Sequence, residues 1–223
     1  MSFNVAIDGP AGAGKSTIAR AVAKKKGFIY VDTGAMYRTM ALYFLRKGVD
    51  KNDEAAVNKA CMEVSISIAY ENGAQQVFLN GENVSGLIRT EEVGNMASAT
   101  SGYLFVREKL VELQKEMARK SDVVMDGRDI GTVVLPDAEV KVFLTASAEE
   151  RARRRMLELE ERGTPEPYAA ILRAIQERDW NDTHRDAAPL RQAEDAVLLD
   201  TTALDFVQSE DALLHIIRER TGL

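Results

Sequence analysis

Only one of the 223 residues is a cysteine, one is a tryptophan and two are histidines. A lone Cys61 cannot close an intramolecular disulfide, which fits a reducing compartment. His184 and His215 stand far apart in the chain, so a histidine–cysteine metal centre is not expected. No apolar run is long enough to cross a bilayer, and no basic stretch leads into an apolar one at the N-terminus. Neither a membrane span nor a secretory signal is therefore expected. A basic excess is also missing: 29 Lys and Arg oppose 35 Asp and Glu, a formal net charge of −6. That balance argues against a general nucleic-acid binder. Any chemistry on phosphates must then rest on local arginine clusters. The remaining composition, 45% hydrophobic and 29% charged, is that of a globular chain able to bury its core as one domain.

Against these absences stands the stretch Asp8-Gly-Pro-Ala-Gly-Ala-Gly-Lys-Ser-Thr17. Residues 4–8 read as a short buried strand, and the run from Lys15 as the start of a helix. Between them Gly9, Gly12 and Gly14 let the backbone take positive φ and turn its N–H groups inward. With the helix N-terminus behind them, those groups form a nest for phosphate oxygens. Gly9-x4-Gly14-Lys15-Ser16 is the full Walker A spacing. Gly9, Pro10, Ala11, Gly12, Ala13, Gly14, Lys15, Ser16 and Thr17 are thus the candidate ATP-binding residues. Lys15 would reach the β- and γ-phosphates and the Ser16 hydroxyl would hold Mg²⁺.

Strand-like runs at 5–8, 28–32, 123–126, 140–145 and 196–200 alternate with helical ones, the pattern of a parallel α/β sheet with helices on both faces. Lys24-Lys25-Lys26 before Gly27 suits a last helical turn with Gly27 just beyond it. Two interruptions break the rhythm. Over 64–84, alternation at Val64, Ile66, Ile68 and Tyr70, with turns at Asn72-Gly73 and Asn80-Gly81, predicts a small antiparallel meander. Helices are expected near 35–47, 53–62 and 103–119 around it. The second interruption, 147–163, reads as an arginine-rich helix opened by a Ser147/Glu150 capping box. Gly163, Pro165 and Pro167 after it suggest a hinged segment.

Val123-Val124-Met125-Asp126-Gly127 is an apolar strand ending in an acid, and Asp126 would orient Mg²⁺ through water beside Ser16. Arg128 and Asp129 follow at the carboxyl end of that strand, where ligands bind in open α/β sheets. In Asp32-Thr-Gly-Ala-Met-Tyr-Arg38, Thr33 is a plausible N-cap and Arg38 could point at a phosphate. Ile171, Ile175, Arg178, Asp182 and Arg185 recur at helical spacing, so one stripe begins apolar and ends charged. A charged end on a core-facing stripe is costly unless it meets a charged ligand. Arg151, Arg153, Arg154 and Arg155 could form a solvated face through Glu149–Arg153 and Glu150–Arg154 pairs. Equally, at least one of them could reach the phosphates on closure.

A kinase acting on a hydroxyl needs a carboxylate base, whereas a phosphate monoester brings an oxygen that is already anionic. Arginines spread over several elements (Arg38, Arg107, Arg128, Arg178, Arg185) fit the second case. Together with Ile-Arg-Thr-Glu-Glu-Val (88–93), Asp-Gly-Arg-Asp-Ile-Gly-Thr-Val-Val (126–134) and Glu-Arg-Asp-x-x-Asp-x-x-Arg (177–185), these motifs resemble the bacterial cytidylate kinases from end to end. The resemblance implies a P-loop NTPase fold and a core of about 1–38, 103–146 and 164–223. It further implies an inserted monophosphate-binding region at about 39–102 and a short lid at about 147–163. The implied reaction is Mg²⁺-dependent transfer of the γ-phosphate of ATP to CMP or dCMP by a cytoplasmic, monomeric enzyme without nucleic-acid or membrane partners. Carried over by position, Thr33, Arg38, Ser98, Arg107, Arg128, Asp129, Arg178, Asp182 and Arg185 would line the monophosphate site. Lys15, Arg128, Arg185 and Arg154 would act on the transferred group. Cytosine's amine would suit Asp129, its acceptor edge Arg107, and a ribose 2′-OH Asp182. Two other readings stand beside this one: a small-molecule hydroxyl kinase with Asp32 or Asp129 as base, and a nucleotide-switch ATPase.

Overall fold

The structure, a computed structural model, describes residues 2–71 and 73–222; Asn72, half of one expected turn, lies outside them. Five strands build the main sheet: β1 (Asn4–Asp8), β2 (Ile29–Asp32), β6 (Val123–Gly127), β7 (Val140–Thr145) and β8 (Val197–Asp200). Their order is β2-β6-β1-β7-β8 and every pairing is parallel. Parallel neighbours need crossovers, supplied here by helices on both faces. Alternation along β1 shows the two layers. Val5 and Ile7 face a core built with α1 (Lys15–Lys26) and α8 (Phe206–Thr221), while Ala6 faces Val31, Met125 and the α5 helix (Leu104–Lys120). Truncating the fully buried Ile7 to Ala costs about 2–5 kcal/mol, the usual range for a large-to-small core change.

The expected meander is present as β3 (Ile66–Glu71), β4 (Ala74–Leu79) and β5 (Glu82–Asn83), an antiparallel sheet in the order β3-β4-β5. Asn80 and Gly81 both have positive φ (48° and 87°), as a two-residue hairpin turn of the I′ type requires. Leu79 and Val77 face a separate apolar cluster with Met36, Met40 and Phe44 of α2 (Thr33–Arg46). The helices α3 (Glu54–Met62) and α4 (Glu91–Thr100) close that cluster through Val57, Cys61, Val93 and Met96. Helices α6 (Ala148–Glu161) and α7 (Tyr168–His184) pack on each other through Ala152, Leu159 and Ile171. Gly27 ends α1 in the left-handed region, its N–H returning to the Ala23 and Lys24 carbonyls.

Four local expectations are corrected. Asp32, not Thr33, caps α2, its carboxylate accepting from the Ala35 N–H at 2.9 Å. Thr33 is unavailable for capping because its hydroxyl donates to the Asp126 carbonyl at 2.7 Å. Ser147 does accept from the Glu150 N–H at 3.2 Å, but the reciprocal half of the capping box is replaced: Arg153 and Arg154 hold the Glu150 carboxylate. Arg153 therefore pairs with Glu150 rather than with Glu149. Finally, α7 ends at His184 and Arg185 is extended, so the charged stripe leaves the helix at its last member.

Candidate active site

Parallel register sets the carboxyl ends of β1, β2 and β6 side by side, with Asp126 level with Ile7 on one flank and Asp32 on the other. The glycine-rich loop leaves β1 at Gly9, whose φ of 147° has no Cβ to accommodate; one placed there would lie 1.9 Å from the Leu144 carbonyl oxygen. Two of the loop's carbonyls are engaged from outside the loop. Ala11 accepts from Arg151 Nη1 at 3.1 Å, and Ala13 from the Thr201 hydroxyl at 3.5 Å. Lys15, 5% exposed, folds back to donate to the Pro10 carbonyl at 2.7 Å. Burial, then the Arg128 guanidinium, pushes its ammonium below the ordinary lysine range.

Ser16 Oγ donates to Asp126 Oδ2 and Tyr30 Oη to Oδ1, each at 2.8 Å. Burial, with Asp32 adding like charge, raises the Asp126 carboxyl. Asp8 accepts from the N–H groups of Ile130 and Gly131 at 2.7 and 2.8 Å, tying β1 to the π turn Ile130–Val134 that follows Arg128 and Asp129. Burial lifts its carboxyl to about 6 despite those two bonds.

Beyond the loop lies a knot of arginines. Arg128 Nε donates to Asp182 Oδ2 at 2.8 Å. Arg185 donates twice to the Ala188 carbonyl, at 2.9 and 2.7 Å. Arg178 Nε is buried and has no hydrogen-bond partner among the described residues. Burial and mutual repulsion depress Arg38, to about 10, and also Arg178 and Arg185. Burial works against the Asp182 charge, but Arg128, Arg178 and Arg185 outweigh it and hold that carboxyl below its ordinary value. Nearby, Arg107 and Asp129 form a buried ion pair, and Arg107 also donates to the Ser101 carbonyl at 3.2 Å above the Tyr37 ring.

A P-loop thus stands beside a partly buried cluster of arginines. The cytidylate kinase family model covers residues 5–219. This chain belongs to the cytidylate kinase family. A cytidylate kinase from Caldicellulosiruptor saccharolyticus is 48% identical over 220 residues, 99% of this chain and 97% of that one. One from Carboxydothermus hydrogenoformans is 49% identical over 221 residues, 99% of this chain and all of that one. A crystal structure of an uncharacterized protein from Eubacterium ventriosum shares the fold alone, with a TM-score of 0.53 at 13% identity over 99% of this chain and 100% of that one.

Within this cytidylate kinase scaffold Arg38, Arg128, Arg178 and Asp182 interact electrostatically, as do Arg107, Asp129 and Arg185. Arg38 donates to the Ile88 and Thr90 carbonyls at 3.3 and 3.4 Å, in space kept open by Gly94, where a Cβ would lie 2.9 Å from the guanidinium. Ser98 sits half-buried on α4, one turn before Ser101. Of the α6 arginines, Arg154 donates to the Thr201 carbonyl at 2.7 Å and its Nη1 would stand 3.9 Å from a Cβ on Gly14. Arg153 and Arg155 pair with Glu150 and Glu158 on the exposed face. Arg151 is 4% exposed and adds a bidentate pair with Asp179 (2.9 and 2.6 Å) to its bond with the P-loop. Sequence reasoning did not assign the roles of Asp8, Tyr30 and Gln75, and Arg151, read there as part of a solvated face or as a phosphate-reaching arginine, is buried against the loop. The signals present were Asp8 as the last residue before the glycine loop and Asp179 inside the 177–185 motif.

Proposed function

We propose that this chain transfers the γ-phosphate of ATP to CMP, giving CDP and ADP. The observation that carries this is the Arg178 Nε: a buried donor without a partner among the described residues, inside a knot of arginines whose charges repel, beside a P-loop. Such a group costs free energy until an anion satisfies it, and a nucleoside monophosphate brings one.

In this reading the inward N–H groups of the loop take the ATP phosphates, and Lys15 exchanges the Pro10 carbonyl for the β/γ oxygens. Arg38, Arg178 and Arg185 hold the acceptor phosphate. Arg128, Arg185 and Arg154 steady the charge on the group in flight. No side chain removes a proton, because the attacking oxygen is already ionised. Ser16 and the Asp126 carboxylate meet at the loop's mouth as hard oxygen donors, which fits Mg²⁺ held by Ser16 directly and by Asp126 through water. When bound, that ion would neutralise negative charge on the ATP phosphates. Asp129 and Arg107 offer adjacent acceptor and donor groups for the cytosine edge, Ser98 of α4 is assigned to the same edge, and Asp182 suits a ribose 2′-OH, with dCMP used as well. We assign 39–102 as the monophosphate-binding region, 147–163 as a lid that excludes water, and the rest as the core. The enzyme works as a cytoplasmic monomer on free nucleotides. No helix among the described residues is long and apolar enough to cross a membrane.

A hydroxyl kinase fits less well. Asp32, one of its two candidate bases, is spent on capping α2 and on holding Arg89. A coupled ADP-release assay against CMP, dCMP, UMP, AMP and simple alcohols tests the proposal. CMP and dCMP should stimulate ADP release far above the others, and stimulation by an alcohol alone would overturn it.

A further inference from the structure

β2 is an edge strand, and its outer backbone groups face the meander rather than a sixth strand. An exposed edge leaves N–H and C=O groups to be satisfied by something else. Here a side chain does it. Gln75, near the start of β4, accepts the Asp32 N–H on Oε1 at 2.8 Å and donates from Nε2 to the Asp32 carbonyl at 3.2 Å. This amide reproduces the two-bond pattern of a neighbouring strand on one residue. Tyr70 of β3 adds a bond from its hydroxyl to the Tyr30 carbonyl at 3.1 Å. Arg89, from the segment leading into α4, holds the Asp32 carboxylate. An open cleft of about 300 Å³ lies beside β2, lined by Ile29, Ile66, Ile68 and Tyr70 and by Glu116 and Lys120. The polar clip joins the meander directly to β2, in addition to the apolar packing of Val77 and Leu79 on α2.

We infer that Gln75 is a positioning residue for the acceptor nucleotide. It fixes Asp32, and Asp32 fixes the N-terminus of α2, from which Thr33 reaches the Asp126 carbonyl and Arg38 reaches toward the arginine knot. The meander is thereby mechanically joined to the acceptor site, across a sequence separation that no local motif spans. This inference rests on the proposed CMP kinase activity for its kinetic part only.

The test compares Gln75→Ala with Gln76→Ala. Gln76 lies on the same strand but bonds Asn83 of β5, away from β2, so it perturbs the meander without touching the clip. Two lost hydrogen bonds of about 0.5–1.5 kcal/mol each correspond to roughly a tenfold effect or somewhat more. Gln75→Ala should raise KM for CMP about tenfold, leave KM for ATP within about twofold, and speed amide exchange over residues 32–38 about tenfold. Gln76→Ala should change none of these. If Gln75→Ala does not fold, Gln75→Glu keeps the acceptor for the Asp32 N–H but sets an oxygen against its carbonyl, and should shift KM for CMP and the exchange rates the same way. Equal rises in both KM values, matching behaviour of the two alanine variants, or unchanged exchange over 32–38 would overturn the inference. Should the parent protein not phosphorylate CMP, the proposed function fails, and exchange alone decides the role of Gln75.

Discussion

Removing the charge of Asp182 should destabilise the free protein and do so less when an anion is present. Asp182 and Arg128 are 10% and 21% exposed at the side chain, and Arg178 and Arg185 add positive charge beside them. Removing one partner of a fully buried pair costs about 3–5 kcal/mol. Arg128 is a fifth exposed, so solvent screening brings Asp182→Asn nearer to about 2–3 kcal/mol. For a chain of this length that is roughly 5–10 °C in Tm. Sulfate or CMP would supply the missing negative charge, so about half of the loss should return in 50 mM sulfate, with chloride at equal ionic strength as control. The sign follows from the depressed Asp182 carboxyl. Its contribution is present above the ordinary carboxylate value of about 3.9 and is lost as pH falls through the lower folded value, so variant and parent should converge in acid. Scanning calorimetry with and without sulfate measures this. A loss below about 0.5 kcal/mol, or one equally large in sulfate and chloride, would refute the reasoning.

Lys15→Ala should lower kcat by about 10³-fold or more with the fold intact by circular dichroism, because the loop alone cannot replace its charge on the γ-phosphate. Asp129→Asn should narrow the CMP-to-UMP ratio of kcat/KM by about 5- to 150-fold, the worth of one base-edge pairing of about 1–3 kcal/mol; an unchanged ratio removes Asp129 from base recognition. Asp8 is raised in the folded state to about 6, so the parent should lose up to about 3 kcal/mol of stability from this group as pH rises from about 4 to 6, with no further change above. Urea unfolding across that range should show a flatter pH dependence in Asp8→Asn than in the parent.

Elements whose cause is local were readable in the sequence. The strand before Gly9, the Walker spacing, the Asn80-Gly81 turn and Gly27 after three lysines each depend on residues within a few positions. The site's supports were not readable, because their partners are distant: Asp8 meets Gly131, Arg151 meets Ala11, Tyr30 meets Asp126 and Gln75 meets Asp32. Asp32 and Thr33 are both good capping residues, and what chose between them was the carbonyl of Asp126, ninety-three positions away. The helical stripe failed at Arg185 for a similar reason. The Leu190 N–H returns to the Asp182 carbonyl at 2.8 Å, a fold-back that ends the helix without any glycine.

The central claim, that this P-loop passes phosphate to a pyrimidine monophosphate, is tested most directly by following label from γ-labelled ATP. In the presence of Mg²⁺ and CMP the label should appear in CDP at the β position, with one ADP formed per CDP and little free phosphate. Label released as inorganic phosphate at the same rate with and without CMP would contradict it.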